Sequence, residues 1–128
     1  MIRQLINVND YWKIIVYYNI DYNLLNYITY DLYSIEINNK IINRIYKMLY
    51  KRYAKAVTIS NGYYKTSIVI FNKHKTKADY INSIVHEAEH VKQAMLKEYN
   101  IDDYGEAPAY TIGFIVMKML ESKVLTIK

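Results

Sequence analysis

The sequence predicts one α+β domain, in which a small antiparallel or mixed sheet with a hairpin packs on about four helices. Three observations support this fold class. Short β-branched and aromatic runs occur at the N-terminus and again mid-chain, segments with helical spacing of apolar residues lie between and after them, and no linker or repeat interrupts the 128 residues. Because 52% of the residues are hydrophobic, the chain can bury a core, and residues 1–128 are predicted to form a single domain.

The first half of the chain is predicted to contain two strands followed by two helices. Residues 2–8 and 12–19 are short runs of the strand-forming type. Asp21 is expected to cap a helix that reaches about residue 34, because apolar residues keep helical spacing there. Asn38 or Asn39 is expected to cap a second helix that reaches about residue 52.

A β-hairpin is predicted next, with strands at residues 56–60 and 63–71. The Asn61-Gly62 pair between them is the strongest short signal for a two-residue type I′ turn, since both residues tolerate positive φ. The strand at 63–71, and residues 67–71 in particular, is a candidate sheet edge that could bind an extended peptide by strand addition. An ordinary structural hairpin is an equally good interpretation.

A helix predicted over about residues 79–99 carries His86-Glu87-x-x-His90. Residues four apart lie on the same helix face, so His86 and His90 can bind one metal ion together. Zinc is suited to two neutral imidazoles and a carboxylate, with a fourth position left open. Glu87 lies on the adjacent flank, where it can act as general base toward an activated water. The alternative is a solvated helix face that happens to carry two histidines.

The rest of this helix separates into two faces. Six apolar residues share one face: Ile81, Ile84, Val85, Ala88, Val91 and Met95. Five polar residues fall nearly opposite: Asn82, His86, His90, Gln93 and Lys97. The histidines are therefore expected to face a cleft, although a plain surface helix would show the same pattern.

A third zinc ligand is expected from the last helix, predicted over residues 105–121. This segment is apolar nearly all round, which predicts that it is largely buried, with Glu106 as the one acid in its first turns. A carboxylate in such surroundings must be paired, coordinated or neutralised. Gly113 would allow close approach of the two helices. The alternatives are an acid that only stabilises the helix N-terminus, or ligation by Asp102 or Asp103 in the preceding turn.

These residues resemble the gluzincin branch of the zincin metallopeptidases. The matching pattern is His86-Glu87-x-x-His90 followed by Glu106-x-x-Ala-Tyr110. The resemblance implies zinc bound by His86, His90 and Glu106, with Glu87 as general base in peptide hydrolysis. Several gluzincins have an Asp that supports a ligand histidine where this chain has Tyr110, whose hydroxyl could bind a histidine or polarise the substrate carbonyl.

The resemblance also has consequences for the fold and the setting. It implies a minimal zincin-like domain with the motif on the penultimate helix, in which a sheet edge beside that helix pairs with an extended peptide substrate. The chain also resembles the very small, single-domain proteins of this motif from gut bacteria and their phages. A catalytically silent metal-binding structural protein, or a phage accessory protein, is the alternative function.

Composition narrows the function classes further. There are no cysteines, which excludes disulfides and thiolate zinc sites. The net charge of +5 is scattered, so no specific nucleic-acid partner is expected, and a small basic nucleic-acid-binding protein remains the weaker alternative. No signal peptide or membrane-spanning run is evident, which predicts a cytoplasmic location in a bacterial or phage-infected cell.

His74, in the basic segment 73–77, is predicted to be a solvated loop residue. The oligomeric state is not specified by the sequence.

Overall fold

The computed structural model describes residues 1–122, so the predicted short strand or frayed end at 122–128 lies almost entirely outside the described residues. Four strands and four α-helices follow one another in this part of the chain, which confirms the α+β class. Their bounds are β1 (Ile2–Val8), β2 (Trp12–Tyr18), α1 (Leu25–Ser34), α2 (Asn39–Tyr50), β3 (Ala56–Asn61), β4 (Thr66–Phe71), α3 (Lys77–Tyr99) and α4 (Glu106–Leu120).

The four strands form one mixed sheet in the order β1-β2-β4-β3. β4 pairs in parallel with β2 and antiparallel with β3, while β1 is antiparallel to β2. The prediction that residues 63–71 form a sheet edge is therefore wrong. The α1–α2 connection returns the chain so that β4 inserts beside β2 and every residue of β4 is buried. The two edge strands are β1 and β3, and β3 is the one beside α3.

The β3–β4 connection also differs from the predicted two-residue turn. Asn61 keeps an extended backbone with φ of −129°, and its side chain accepts a hydrogen bond from the amide of Tyr63. A short 3₁₀-helix, Gly62–Tyr64, follows, and Lys65 takes the left-handed conformation with φ of 49°. The Asn61 side chain thus caps a helical turn, which replaces the type I′ geometry.

Helices cover both faces of the sheet, and each face has its own core. On one face, α1 and α2 bury twelve side chains with the sheet: Ile15, Tyr17, Ile20, Ile28, Leu32, Ile35, Ile37, Ile42, Ile45, Leu49, Ile68 and Ile70. On the other face, α3 and α4 bury fifteen: Ile6, Val8, Trp12, Ile14, Val16, Tyr18, Val69, Phe71, Tyr80, Ile84, Ala88, Val91, Met95, Ile115 and Met119. The alternation of side chains along β2 supplies both cores.

Two helices depart from the predictions. α1 begins at Leu25 because Asp21 forms a turn of its own, in which its carboxylate accepts a hydrogen bond from the amide of Asn23. The prediction that the last helix is largely buried is wrong, since α4 packs on α3 and β1 along one side and buries only Pro108, Ile115 and Met119.

Gly113 of α4 is exposed, and a Cβ added there would meet nothing within 4 Å, so it mediates no close helix approach. Among residues 1–122, no helix combines the length and apolar character needed to cross a membrane.

Candidate metal centre

Helix α3 carries the motif in the middle of its 23 residues, far from either fraying end. The Thr76 hydroxyl accepts the amide of Asp79 at 3.1 Å to cap its start, and Asn100 ends it in the left-handed conformation with φ of 53°. Because the motif lies between two well-capped ends, its side chains project from a rigid backbone.

The buried face of α3 is rotated from the predicted one. Ile84, Ala88, Val91 and Met95 are buried as predicted, but Val85 is 44% exposed. Glu87 is only 4% exposed instead, because this flank of α3 packs against β3, where Thr58 supplies a polar partner. The histidines stay exposed on the outer flank.

The Nε2 atoms of His86 and His90 face each other. Their Nε2 atoms are 3.2 Å apart, with ring centroids 4.8 Å apart and ring planes at 79°. A tetrahedral zinc ion with Zn–N bonds of about 2.0–2.1 Å separates two ligand nitrogens by about 3.3–3.4 Å. The imidazole pair therefore fits two positions of such an ion with little adjustment.

Glu87 is held beside this pair by a residue that the sequence did not single out. The hydroxyl of Thr58, in β3, donates a hydrogen bond of 2.8 Å to Oε1 of Glu87. The other carboxylate oxygen, Oε2, lies 3.9 Å from Nε2 of His86. One oxygen is thus anchored while the other faces the histidines, the arrangement that a general base needs.

A cleft of about 510 Å³ opens between the start of β3 and this flank of α3. It is lined by Tyr53, Ala54, Lys55, Ala56, Asn82, Ser83, Val85, His86 and Glu87. We call it the motif cleft. A ligand in it would contact both the motif residues and the exposed sheet edge.

The remaining predicted site residues lie on α4. Glu106 is the first residue of that helix and is exposed, and Tyr110 is 73% exposed. Over residues 1–122, no three His, Cys, Asp or Glu side chains are grouped closely enough to hold a metal ion. The structure places His86 and His90 at ligand spacing with Glu87 beside His86, and it does not group Glu106 with the two histidines.

The chain matches no protein family, no curated protein and no solved structure. Any function must therefore be argued from the residues and geometry of α3, β3 and their surroundings.

A second polar cluster fixes the loop between α3 and α4. The ammonium of Lys92 lies 2.9 Å from the carboxylate of Glu89 and 3.0 Å from that of Asp103, and Gln93 donates to both acids. Hydrogen bonding from Lys92 lowers the pKa of Glu89 and of Asp103. Asp103 is thus occupied by cationic and amide partners, and it holds the loop against α3 within one turn of His90.

His74 is not the solvated loop residue that the sequence predicted. Its Nδ1 lies 2.7 Å from the carbonyl of Asn72, its Nε2 lies 2.7 Å from the hydroxyl of Ser83, and its ring packs on Tyr80. Burial lowers the pKa of His74, which favours the neutral ring. In that state Nδ1–H donates to the carbonyl and Nε2 accepts from Ser83, so His74 connects the loop to α3.

Proposed function

We propose that this protein is a zinc-dependent peptide hydrolase centred on α3. The observation that carries the proposal is the 3.2 Å separation of the His86 and His90 Nε2 atoms, with the anchored carboxylate of Glu87 beside them. Two imidazoles at a tetrahedral ligand spacing and an adjacent carboxylate are the components of a hydrolytic zinc site.

Glu106 is the proposed third protein ligand. Asp103, three residues earlier, is held against Lys92 and Gln93, and Gln93 is three residues after His90. Three extended residues span at most about 11 Å, so Glu106 begins α4 within that distance of Asp103, and binding zinc would require the first turn of α4 to bring its carboxylate to the two histidines. Asp103 is the weaker candidate because its carboxylate already has two partners.

Zinc, when bound here, would supply Lewis-acid activation of water and of the substrate carbonyl. Glu87 would take a proton from the attacking water at Oε2 and deliver it to the leaving amine, while Thr58 holds Oε1 in place. Tyr110 lies one helical turn after Glu106 on the same face of α4. It lines a separate concavity with Val8 and Asn9, so its hydroxyl would donate to the substrate carbonyl oxygen, where negative charge develops, only if the start of α4 moves toward the histidines.

The proposed substrate is an extended peptide that adds to the edge strand β3. This strand pairs with β4 along one side, its six residues are all half-buried, and its first residue lines the motif cleft. Main-chain hydrogen bonds to β3 would hold a peptide beside His86 and Glu87. This edge takes the place of the predicted one at residues 63–71.

Zinc content and peptide cleavage test the proposal together. We expect the purified protein to bind one zinc ion per chain, and His86→Ala and Glu106→Ala each to weaken zinc binding strongly. Glu87→Gln should keep zinc and reduce cleavage of a peptide library at least about 10²-fold, the usual range for loss of a general base.

Two controls limit the interpretation of this experiment. His74→Gln removes the third histidine and Asp103→Asn removes the competing acid, and both should keep stoichiometric zinc. Zinc binding that survives both His86→Ala and Glu106→Ala would refute the site. Zinc binding without cleavage of any peptide would instead support the alternative of a catalytically silent metal-binding protein.

A further inference from the structure

A second concavity continues the motif cleft beyond the start of β3. Its volume is about 300 Å³, and four cationic side chains line it: Arg52, Lys55, Lys73 and Lys75. We call it the basic cleft. Ala54 and Lys55 line both concavities, so the two adjoin at these residues and a peptide that follows β3 would pass from one to the other.

The four cations of the basic cleft have no carboxylate partner among residues 1–122, and Arg52 donates a hydrogen bond of 3.4 Å to the backbone carbonyl of Lys73. Within the described part of the chain, none of them has a carboxylate oxygen within 4.0 Å, whereas Lys92 has two. Asp79 is the one acid in the lining. Unpaired cations around one concavity raise the local positive potential and favour an anionic ligand.

His74 also lines the basic cleft, and its pKa responds to the charges there. Burial lowers the pKa of His74, and so do the positive charges of Lys55 and Arg52, while the hydrogen bond to Asn72 and the charge of Asp79 act in the opposite direction. His74 also uses both ring nitrogens in hydrogen bonds to Asn72 and Ser83. It therefore contributes shape to the lining, while the four flexible side chains supply the charge.

We propose that the basic cleft binds a carboxylate of the peptide substrate, so that the enzyme selects peptides with an acidic residue close to the cleaved bond. This inference rests on the proposed hydrolase function and specifies its substrate class. A carboxylate accepts charge-assisted hydrogen bonds from both lysine and arginine.

The geometry of β3 sets where the acidic residue should fall. Thr58 marks the level of Glu87 along the strand, and Lys55 comes three residues earlier, about 10 Å away at strand spacing. A peptide pairing antiparallel to β3 would place its downstream residues at the Lys55 end. We therefore expect the acidic side chain two to four residues after the cleaved bond, and a preference upstream would indicate parallel pairing at the same site.

A peptide fits the basic cleft better than a nucleic acid does. The cleft is small and leads into the strand edge and the Glu87 carboxylate, whereas non-specific nucleic-acid binding needs cations that follow a long phosphate backbone. The mixed sequence of charges elsewhere on the chain offers no such track.

Peptide binding by the zinc-loaded Glu87→Gln protein tests the proposal without turnover. Fluorescent ten-residue peptides with Glu or Gln at the downstream positions are compared by anisotropy. We expect the Glu peptide to bind at least about tenfold more tightly, and Lys55→Gln/Lys73→Gln to abolish that preference. Lys40→Gln/Arg44→Gln, an equal charge change on exposed positions of α2, should preserve it.

A charge reversal sharpens the test. Lys55→Glu/Lys73→Glu should invert the preference, so that a peptide with Lys at the same positions binds more tightly than the Glu peptide. Equal affinity for the Glu and Gln peptides would overturn the proposal. So would tighter binding of a ten-nucleotide single-stranded DNA that displaces the Glu peptide.

The outcomes also separate this inference from the hydrolase proposal. If zinc binding and cleavage fail while the zinc-free protein still prefers the Glu peptide, the hydrolase is refuted and the carboxylate site stands. If cleavage depends on Glu87 but is indifferent to the charge of the peptide, only the carboxylate site is refuted.

Discussion

Two buried carboxylates lie on opposite faces of the sheet and have very different surroundings. Asp31, on α1, is 7% exposed and has both oxygens occupied: Arg3 donates to Oδ2 at 3.0 Å and to Oδ1 at 3.3 Å, and the hydroxyl of Tyr17 also donates to Oδ2. Glu87, on α3, is 4% exposed, with one oxygen held by Thr58 and the other facing His86.

The two acids differ in how many of their oxygens accept hydrogen bonds from the protein. A buried charge is tolerated when its hydrogen bonds are made, as they are for Asp31. The second oxygen of Glu87 faces an exposed imidazole and a cleft instead, so it remains available to a water or a substrate. The α1–α2 face therefore surrounds its acid with hydrogen-bond donors, whereas the α3 face next to the edge strand β3 leaves one carboxylate oxygen toward the motif cleft, as the proposed hydrolase requires.

Removing each carboxylate in turn should show the difference between them most clearly, as a change in the free energy of unfolding. We expect Asp31→Ala to lower the free energy of unfolding by about 1–3 kcal/mol, because the buried Tyr17 hydroxyl loses an acceptor and Arg3 its partner. Glu87→Ala should cost less than about 1 kcal/mol, since the half-buried Thr58 hydroxyl can turn to water. Urea denaturation of the zinc-free proteins measures both, and equal losses would contradict the assignment of separate roles.

Thr58 gives a smaller and more specific test. Thr58→Val removes the hydroxyl at nearly constant volume, so the loss of one hydrogen bond of about 0.5–1.5 kcal/mol should slow cleavage about 2- to 10-fold. Zinc affinity should not change. Thr58→Ser, which keeps the hydroxyl, should restore most of the rate, whereas a merely structural role would lower the unfolding free energy of the Val variant and leave its rate unaffected.

The sequence predicted those features that local chemistry determines. The helix caps at Asn38 and Thr76 form as their residue types indicate, and the strand β1 has the predicted bounds. The i, i+4 spacing alone places His86 and His90 side by side, because helix geometry leaves no other arrangement.

Features that depend on distant pairing could not be predicted in this way. β4 is an interior strand because it pairs with β2, where Val16 lies opposite Val69, as well as with β3. No local sequence signal encodes the pairing with β2. The hydrogen bond from Thr58 to Glu87 joins residues 29 positions apart. Apolar composition similarly failed to show that α4 is covered along one side only, because burial depends on what packs against a helix.

Replacing His74 should give the smallest change in the free energy of unfolding, and it tests whether a neutral His74 ring anchors the loop before α3 to that helix. Its pKa is lowered by burial from the usual value of 6.5, so the unfolded chain binds a proton at a higher pH than the folded protein does. By linkage, the stability contributed by neutral His74 is present above about pH 6.5 and is lost as the pH falls below it.

His74→Gln should be less stable than the wild type at about pH 7.5, and the gap should narrow toward about pH 5. Urea denaturation with a chelator present measures the gap, and His86 and His90 cancel because both proteins carry them. A gap that stays constant or widens in acid would show that the ring of His74 is not held neutral between Asn72 and Ser83.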